Sequence, residues 1–489
     1  MLSYIHRFFI FDIMKHWIFF SFILSLLGTN CSGPVTNESG FASVSRVDSG
    51  RSVAVMLTAY STTLLADGQD RTRLRIAVVD SLSREIISAD DTIHVYVNGD
   101  GKVIMPDSSD LMLKVDTAGE EYTMCRLQKG VCSLVFVAGT KPDKIKVEAR
   151  SGKLWPGSHE IHTLPADFVK LTPTPEQLQP ARKPVDRMIG ADISFLPQIE
   201  AQGKKFYENG QEKDAIQLLG DHGFNYIRLR IFVNPENEKG YSPGEGYCGL
   251  DHTLKMARRV RDAGMKILLD FHYSDYWADP QQQNKPLAWS GVDFETLKDS
   301  VRSYTTRVLL ALKEQGTLPA MAQVGNEINH GILWPDGHIA NPDNLAGLLM
   351  AGVEGIRAVD PELPVMMHIA LGGQHDEAVF WLDNMIARGV TFDIIGISYY
   401  PRWHGTLDDL KKNLVDLVER YHKPVNVVEY SNFKKEVHEI VFNLPGDKGK
   451  GTCIWEPLNW WSGLFTREGE VKGEILVYDT IKKRYLEEE

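Results

Sequence analysis

Five cysteines in 489 residues are too few for a disulfide scaffold. Cations are also scarce: 53 Lys and Arg stand against 65 Asp and Glu, a net charge of −12. That balance excludes nucleic acid as the partner, because phosphate binding needs a surplus of Lys and Arg. An uninterrupted apolar run of about 20 residues, the length of a transmembrane helix, is missing too. His6, Arg7, Asp12 and Lys15 break the stretch near the start. What is present has globular proportions, 43% hydrophobic and 24% charged. The length suits two domains, or one barrel of roughly 250 residues with an accessory module. Ten Trp, 17 Tyr and 20 Phe suit stacking on sugar rings as well as core packing.

Read from Met14, the N-terminus becomes orderly. Lys15-His16 is a basic start, Trp17 to Leu27 a short apolar stretch, and Gly28 to Gly33 small and polar. This predicts a secretory signal over residues 1–31, with Met14 as the alternative start. Cys31 stands where a bacterial lipoprotein carries its lipidated cysteine, although Asn30 before it departs from the usual Gly or Ala. The expected location is therefore the cell surface or the periplasmic face of an outer membrane, touching the membrane only through that anchor. Cleavage nearby and a free secreted enzyme is the other reading.

Residues 32–50 read as a flexible tether. Over 51–163, short β-type runs such as Arg73-Leu-Arg-Ile-Ala-Val-Val79 and Cys132-Ser-Leu-Val-Phe-Val137 alternate with turns such as Asn98-Gly-Asp-Gly101. Such spacing predicts an all-β sandwich. The stretch Leu65 to Asp70 resembles immunoglobulin-like modules appended to bacterial surface proteins and glycosidases. No cluster of acids, His or Cys marks a site there, so the module reads as a spacer; weak carbohydrate binding or docking stays open. Cys125 and Cys132 flank a predicted hairpin and either bridge or remain free. Five prolines make 164–185 a stiff linker.

From residue 186 to 489, strand-like runs alternate with helical ones eight times, which predicts a (β/α)8 TIM barrel. A doubly wound sheet is the runner-up, but no Gly-rich phosphate loop follows the first strand. Barrel enzymes carry their sites at the C-terminal ends of the strands. Those ends read Asp192, Arg228 or Arg230, Asp270, His272, Asn326, Glu327, His368, Tyr399 or Tyr400, Glu429 and Trp455. Glu327 closes the fourth predicted strand and Glu429 the seventh, across the barrel from each other. Two facing carboxylates without a metal cluster point to glycoside hydrolysis. Asn326 could hold a sugar hydroxyl beside an acid/base, and Arg228 could keep Glu429 anionic as nucleophile. The first strand offers no His-x-His pair, which argues against a zinc hydrolase.

Ordered stretches then carry a resemblance. They include Gly190-Ala-Asp-Ile-Ser194, Asn225-Tyr-Ile-Arg-Leu-Arg230, Leu269 to Pro280, Gln323-Val-Gly-Asn-Glu-Ile-Asn329, Ile395 to Pro401 and Trp455-Glu-Pro457. Residues 188–488 resemble the family 53 glycoside hydrolases, the arabinogalactan endo-β-1,4-galactanases. The resemblance implies Glu327 as acid/base and Glu429 as nucleophile in retaining endo-hydrolysis of β-1,4-galactan. Asp192, Arg228, His272, Trp277, Asn326, Tyr400 and Trp455 would surround the sugar. It implies a polysaccharide substrate, a monomer and no cofactor. Other retaining glycanases, acting on mannan, xylan or glucan, would share both glutamates, and a silent glycan-binding barrel is the remaining alternative. Some relatives carry a long calcium-binding loop after the seventh strand; here only Tyr430 to Lys450 fills that place, without an acidic cluster, so no structural calcium is expected. Arg230 reads as an ion-pair partner inside the barrel, and His272 as either a site residue or a satisfied core histidine.

Overall fold

The computed structural model describes residues 41–181 and 184–487. The expected signal segment, Cys31 and the first part of the tether lie outside them. The rest of the tether departs from expectation. Arg46–Val47 pairs in parallel with Glu85–Ile86, because Arg46 finds a carboxylate partner in Glu85 at 3.1 Å.

Two six-stranded sheets form the N-terminal sandwich. Alternation drives them: in Arg71–Val79, Leu74, Ile76 and Val78 point inward while Arg71 and Arg73 face water. The inward residues of both sheets, among them Leu57, Ile93, Phe136, Val147 and Ile161, form one core. Cys125 and Cys132 are free thiols. The Pro-rich segment beyond does not stand off the next domain. Leu171 N–H donates to Asn384 Oδ1 (3.1 Å), Gln177 Nε2 to the Ala387 carbonyl (3.1 Å), and Phe168 packs on Phe380.

Eight parallel strands then close a barrel: β1 Met188–Asp192, β2 Tyr226–Ile231, β3 Lys266–Phe271, β4 Met321–Val324, β5 Val365–Ile369, β6 Ile394–Tyr399, β7 Val425–Tyr430 and β8 Gly449–Trp455. Each pairs with its sequence neighbour, and β8 returns to β1. The (β/α)8 barrel behind a smaller all-β sandwich is the architecture expected from the alternating pattern. Eight helices cover the strands: α1 Ala215–Asp221, α2 Leu250–Asp262, α3 Phe294–Glu314, α4 Pro342–Val359, α5 His375–Ala387, α6 Leu407–Tyr421, α7 Lys434–Phe442 and α8 Leu476–Tyr485. Among the described residues, no helix is long and apolar enough to cross a membrane.

Local chemistry fixes these elements. Leu407, Leu410, Leu414, Leu417 and Tyr421 recur at helical spacing on the buried side of α6. Thr406 caps its start in a reciprocal box with Asp409, worth about 1 kcal/mol. Helix α2 stops at Gly264, whose φ of 73° lets Met265 N–H bond back to the Val260 carbonyl.

Along the strands, outward residues such as Ile227, Leu229, Ile267 and Leu269 join the core beneath the helices. Inward residues form a separate apolar layer at the N-terminal end of the barrel. Two strand ends differ from the sequence reading. β4 stops at Val324, so Asn326 and Glu327 sit on the turn that follows it. In β7 the register shifts between Val427 and Tyr430. Val428 and Glu429 are consecutive, yet Val428 joins the interior layer and Glu429 bonds to Arg228 inside the barrel. An irregularity of this kind re-aims a side chain that strict alternation would turn away.

Candidate active site

A turn of unusual backbone shape presents Glu327. Its φ and ψ are 49° and 55°, a left-handed conformation that costs a residue with a side chain of order 1 kcal/mol. Gly325 makes the approach possible at φ 78°; a Cβ there would lie 2.5 Å from Ile328 Cγ2. Beyond Glu327, a short turn runs through Ile328–His330. Trp381 Nε1 donates to the Ile328 carbonyl at 2.9 Å, tying that turn to α5.

Glu429 is nearly buried at 6% exposure. Its Oε1 accepts from Arg228 Nη1 at 2.7 Å, and its Oε2 from the Tyr400 hydroxyl at 3.2 Å. Tyr399, the other candidate on β6, donates instead to the Gly405 carbonyl, away from the carboxylates. Glu327 Oε1 accepts from Ser398 Oγ at 2.7 Å. Ser398 is also the register partner of Glu429 across β6 and β7, and paired strands lie about 4.8 Å apart. Glu327, reaching from the turn after β4 to Ser398 on β6, therefore comes close enough to Glu429 on β7 to feel its charge.

Their electrostatics differ. Burial and the nearby Glu429 charge push the Glu327 carboxyl well above the ordinary carboxylate range, with Ser398 offsetting part of this. Burial raises Glu429 as well, but Arg228 pulls it back. Of the two, Glu429 has the guanidinium bonded to it and Glu327 only a hydroxyl, which makes Glu327 the better placed to carry a proton.

Arg228, 1% exposed, is the hub. It meets Asp192 at 3.1 Å, Asp270 at 2.9 Å and Glu429 at 2.7 Å, and donates to Asn326 Oδ1 at 2.7 Å. Asn326 Nδ2 donates to the Ala278 carbonyl, so the amide beside Glu327 is held at both ends. Asp192 divides its oxygens among Arg228, Arg230 and Ser194. His272 is likewise satisfied by protein: Nδ1 accepts from Ala278 N–H at 3.0 Å, and Nε2 lies 3.0 Å from Asp270. Both residues order the site from beneath. Trp277 and Trp455, half-buried at the mouth, meet edge to face at 6.4 Å. The Arg230 guanidinium lies 4.1 Å from the Trp277 ring centre and reaches Glu456 at 3.4 Å.

Three participants are given no role by the sequence, although His368 reads there as a polar strand end. His368 is buried, which keeps its imidazole neutral. Its Nδ1 lies 3.0 Å from Asn326 Oδ1, 3.2 Å from Gln323 Nε2 and 3.4 Å from the Glu327 N–H. Nε2 lies 2.8 Å from Ser398 Oγ, whose hydroxyl donates to Glu327. His368, Ser398 and Glu327 form one chain. The third is Glu456, whose carboxyl burial raises to about 7 despite Arg230. Alternation with Tyr400 was the available cue for Ser398, and the Trp455-Glu-Pro457 stretch the cue for Glu456. Among the described residues, no group of three or more His, Cys, Asp or Glu is placed to hold a metal ion.

Comparison with known proteins agrees with this architecture. Residues 188–439 match the profile of Glycosyl hydrolase family 53, and residues 55–160 that of Glycoside hydrolase family 2 C-terminal domain 5. An uncharacterised protein of Niallia circulans is 40% identical over 55% of this chain and 83% of its own length. The arabinogalactan endo-beta-1,4-galactanase A of Emericella nidulans is 37% identical over 55% of this chain and 84% of its own. Among solved structures, the family 53 catalytic domain of Ignisphaera aggregans is 32% identical, with a TM-score of 0.57 over 64% of this chain and 99% of that one. The chain belongs to glycosyl hydrolase family 53.

Proposed function

We propose that this chain cleaves β-1,4-galactosidic bonds within galactan, the polymer side chain of type I arabinogalactan, with retention of configuration. The observation that carries the reading is the unequal treatment of two neighbouring carboxylates: Arg228 and Tyr400 hold Glu429, while Glu327 takes a single hydroxyl donor from Ser398. In the first step a Glu429 oxygen attacks the anomeric carbon, and the Glu327 proton passes to the departing glycosidic oxygen. In the second, Glu327 takes a proton from water, whose oxygen displaces Glu429 from the sugar. Asn326 lies where it can meet the sugar beside the bond cut, and Trp277 and Trp455 offer faces to neighbouring rings. The relatives named as arabinogalactan endo-β-1,4-galactanases supply the substrate. Export follows from the N-terminal segment, and the mass of the mature N-terminus, lipidated at Cys31 or free, decides between anchor and secretion.

The test is incubation of the enzyme with linear β-1,4-galactan, and in parallel with mannan, xylan and a mixed glucan. Early galacto-oligosaccharides of β-anomeric form are expected, and none from Glu327→Ala or Glu429→Ala. Cleavage of a different polymer would leave the glutamates in place and remove galactan as substrate. Polymer binding without cleavage would make the barrel a lectin.

A further inference from the structure

The sandwich sits against the loops at the catalytic end of the barrel, and its contacts there are polar, buried and specific. Thr62, between two sandwich strands, reaches Glu377 in the first turn of α5. Its hydroxyl lies 2.7 and 2.8 Å from the two carboxylate oxygens, its N–H donates to one of them, and Thr63 adds a second hydroxyl at 3.0 Å. Glu377 is 1% exposed. A carboxylate shut away from water costs several kcal/mol unless its partners are well placed, and two of these partners belong to the sandwich. A passive spacer has no need of such a contact.

The same hydroxyl lies 3.1 Å from His330 Nε2. His330 closes the short turn that begins at Glu327. Its Nδ1 donates to the Pro280 carbonyl at 3.1 Å, leaving Nε2 turned toward the sandwich. The His162 ring, from the sandwich strand Gly157–Leu164, stacks on His330 with centroids 3.8 Å apart. A second set of contacts grips the loop after β6. His159 Nε2 donates to the Trp403 carbonyl at 3.1 Å, and Arg402 to the Pro156 carbonyl at 2.5 Å. That loop begins at Tyr400, the residue bonded to Glu429.

We propose that the N-terminal sandwich braces the catalytic loops, and that Thr62 is a positioning residue for Glu327, acting through His330. Glu327 occupies a strained backbone conformation that its surroundings must impose. The turn behind it is tied to the barrel by Trp381 and to the sandwich by Thr62 and His162. Removing the Thr62 hydroxyl leaves Glu377 and His330 each short of a buried partner, and the turn gains a way to relax. A proton donor displaced by a fraction of an ångström loses efficiency steeply.

The proposal rests on Glu327 being the acid, and the experiment separates the two claims. Full-length Thr62→Val, Thr62→Ser and Glu327→Ala are assayed on galactan and on a 2,4-dinitrophenyl glycoside of galactobiose, whose leaving group departs without a proton. For Thr62→Val, kcat/KM on galactan is expected to fall about tenfold. On the dinitrophenyl substrate it should stay within about twofold, and Thr62→Ser should restore the galactan rate. Equal losses on both substrates, or no loss on galactan, overturn the brace; circular-dichroism melting checks that the variants are folded. If kcat/KM of Glu327→Ala falls as far on the dinitrophenyl substrate as on galactan, the acid assignment fails and the brace falls with it.

Discussion

The inside of the barrel is apolar at one end and charged at the other, although the same eight strands line both. At the N-terminal end Met188, Tyr226, Leu268, Met321, Met366, Ile394, Val428 and Cys453, one from each strand, form a sealed layer. Two residues further along four of these strands stand Arg228, Asp270, Gln323 and His368, all at most 1% exposed. The lower layer needs nothing but shape. The upper one is stable only because each group has a partner, and its stability and its chemistry hang on the same bonds. Loss of a side chain should therefore be felt as stability alone at the base, and as both at the mouth.

The largest effect is expected from Arg228→Met. It leaves Asp270 and Glu429 without their guanidinium and Asp192 with Arg230 alone, and breaking one buried pair typically costs about 3–5 kcal/mol. Denaturant unfolding should show a loss of about 4 kcal/mol, and kcat on galactan should fall about 10³-fold. A variant that unfolds like the parent would show that the charged end is no coupled network.

Leu268→Ala tests the other end. Its side chain is fully buried in the basal layer, and emptying such a site costs about 3 kcal/mol. kcat per folded molecule should stay within about twofold, because the Leu268 side chain carries no polar group to either glutamate. A clear loss of kcat in well-folded protein would mean that strain passes from base to mouth, and the division between the two ends would be wrong.

How far each end could be read from the sequence follows from the same contrast. The base is a matter of period: alternating apolar residues, bounded by glycine stops, give the strands, the helices and the closed barrel. At the mouth, Glu327, Glu429, Arg228 and Asn326 stood out as polar ends of apolar runs. Their setting did not. Glu327 depends on a left-handed turn outside β4, and Glu429 faces inward through an irregularity in β7; neither follows from alternation. Asp192 and His272 share the residue types and places of ligand contacts, and only tertiary structure shows their polar atoms taken up by Arg228, Ser194, Ala278 and Asp270. The sandwich contact is hidden most deeply, since Thr62 and Glu377 are 315 positions apart and neither belongs to a local pattern.

Ser398→Ala gives the smallest effect and the sharpest comparison, because it changes the chemistry of the mouth with little cost to the fold. The Ser398 hydroxyl donates to Glu327 Oε1 and favours the ionised carboxylate. Glu327 must be protonated to release the leaving group, so galactan cleavage is lost as pH rises through its titration. Without the hydroxyl that titration moves upward, and the alkaline limb of kcat/KM should shift by about one pH unit to higher pH. The acid limb, where Glu429 must lose its proton to attack, should stay in place, since Arg228 and Tyr400 remain its partners. At the optimum kcat should fall about threefold to tenfold, as Glu327 loses the donor that orients it and His368 loses its hydroxyl partner. A profile measured in overlapping buffers at constant ionic strength decides the matter. If the alkaline limb moves down instead, the hydroxyl is accepting a proton from Glu327 and donating its own to His368 Nε2. If both limbs move together, the two carboxylates titrate as one unit, and the separate treatment of Glu327 and Glu429 at the mouth no longer holds.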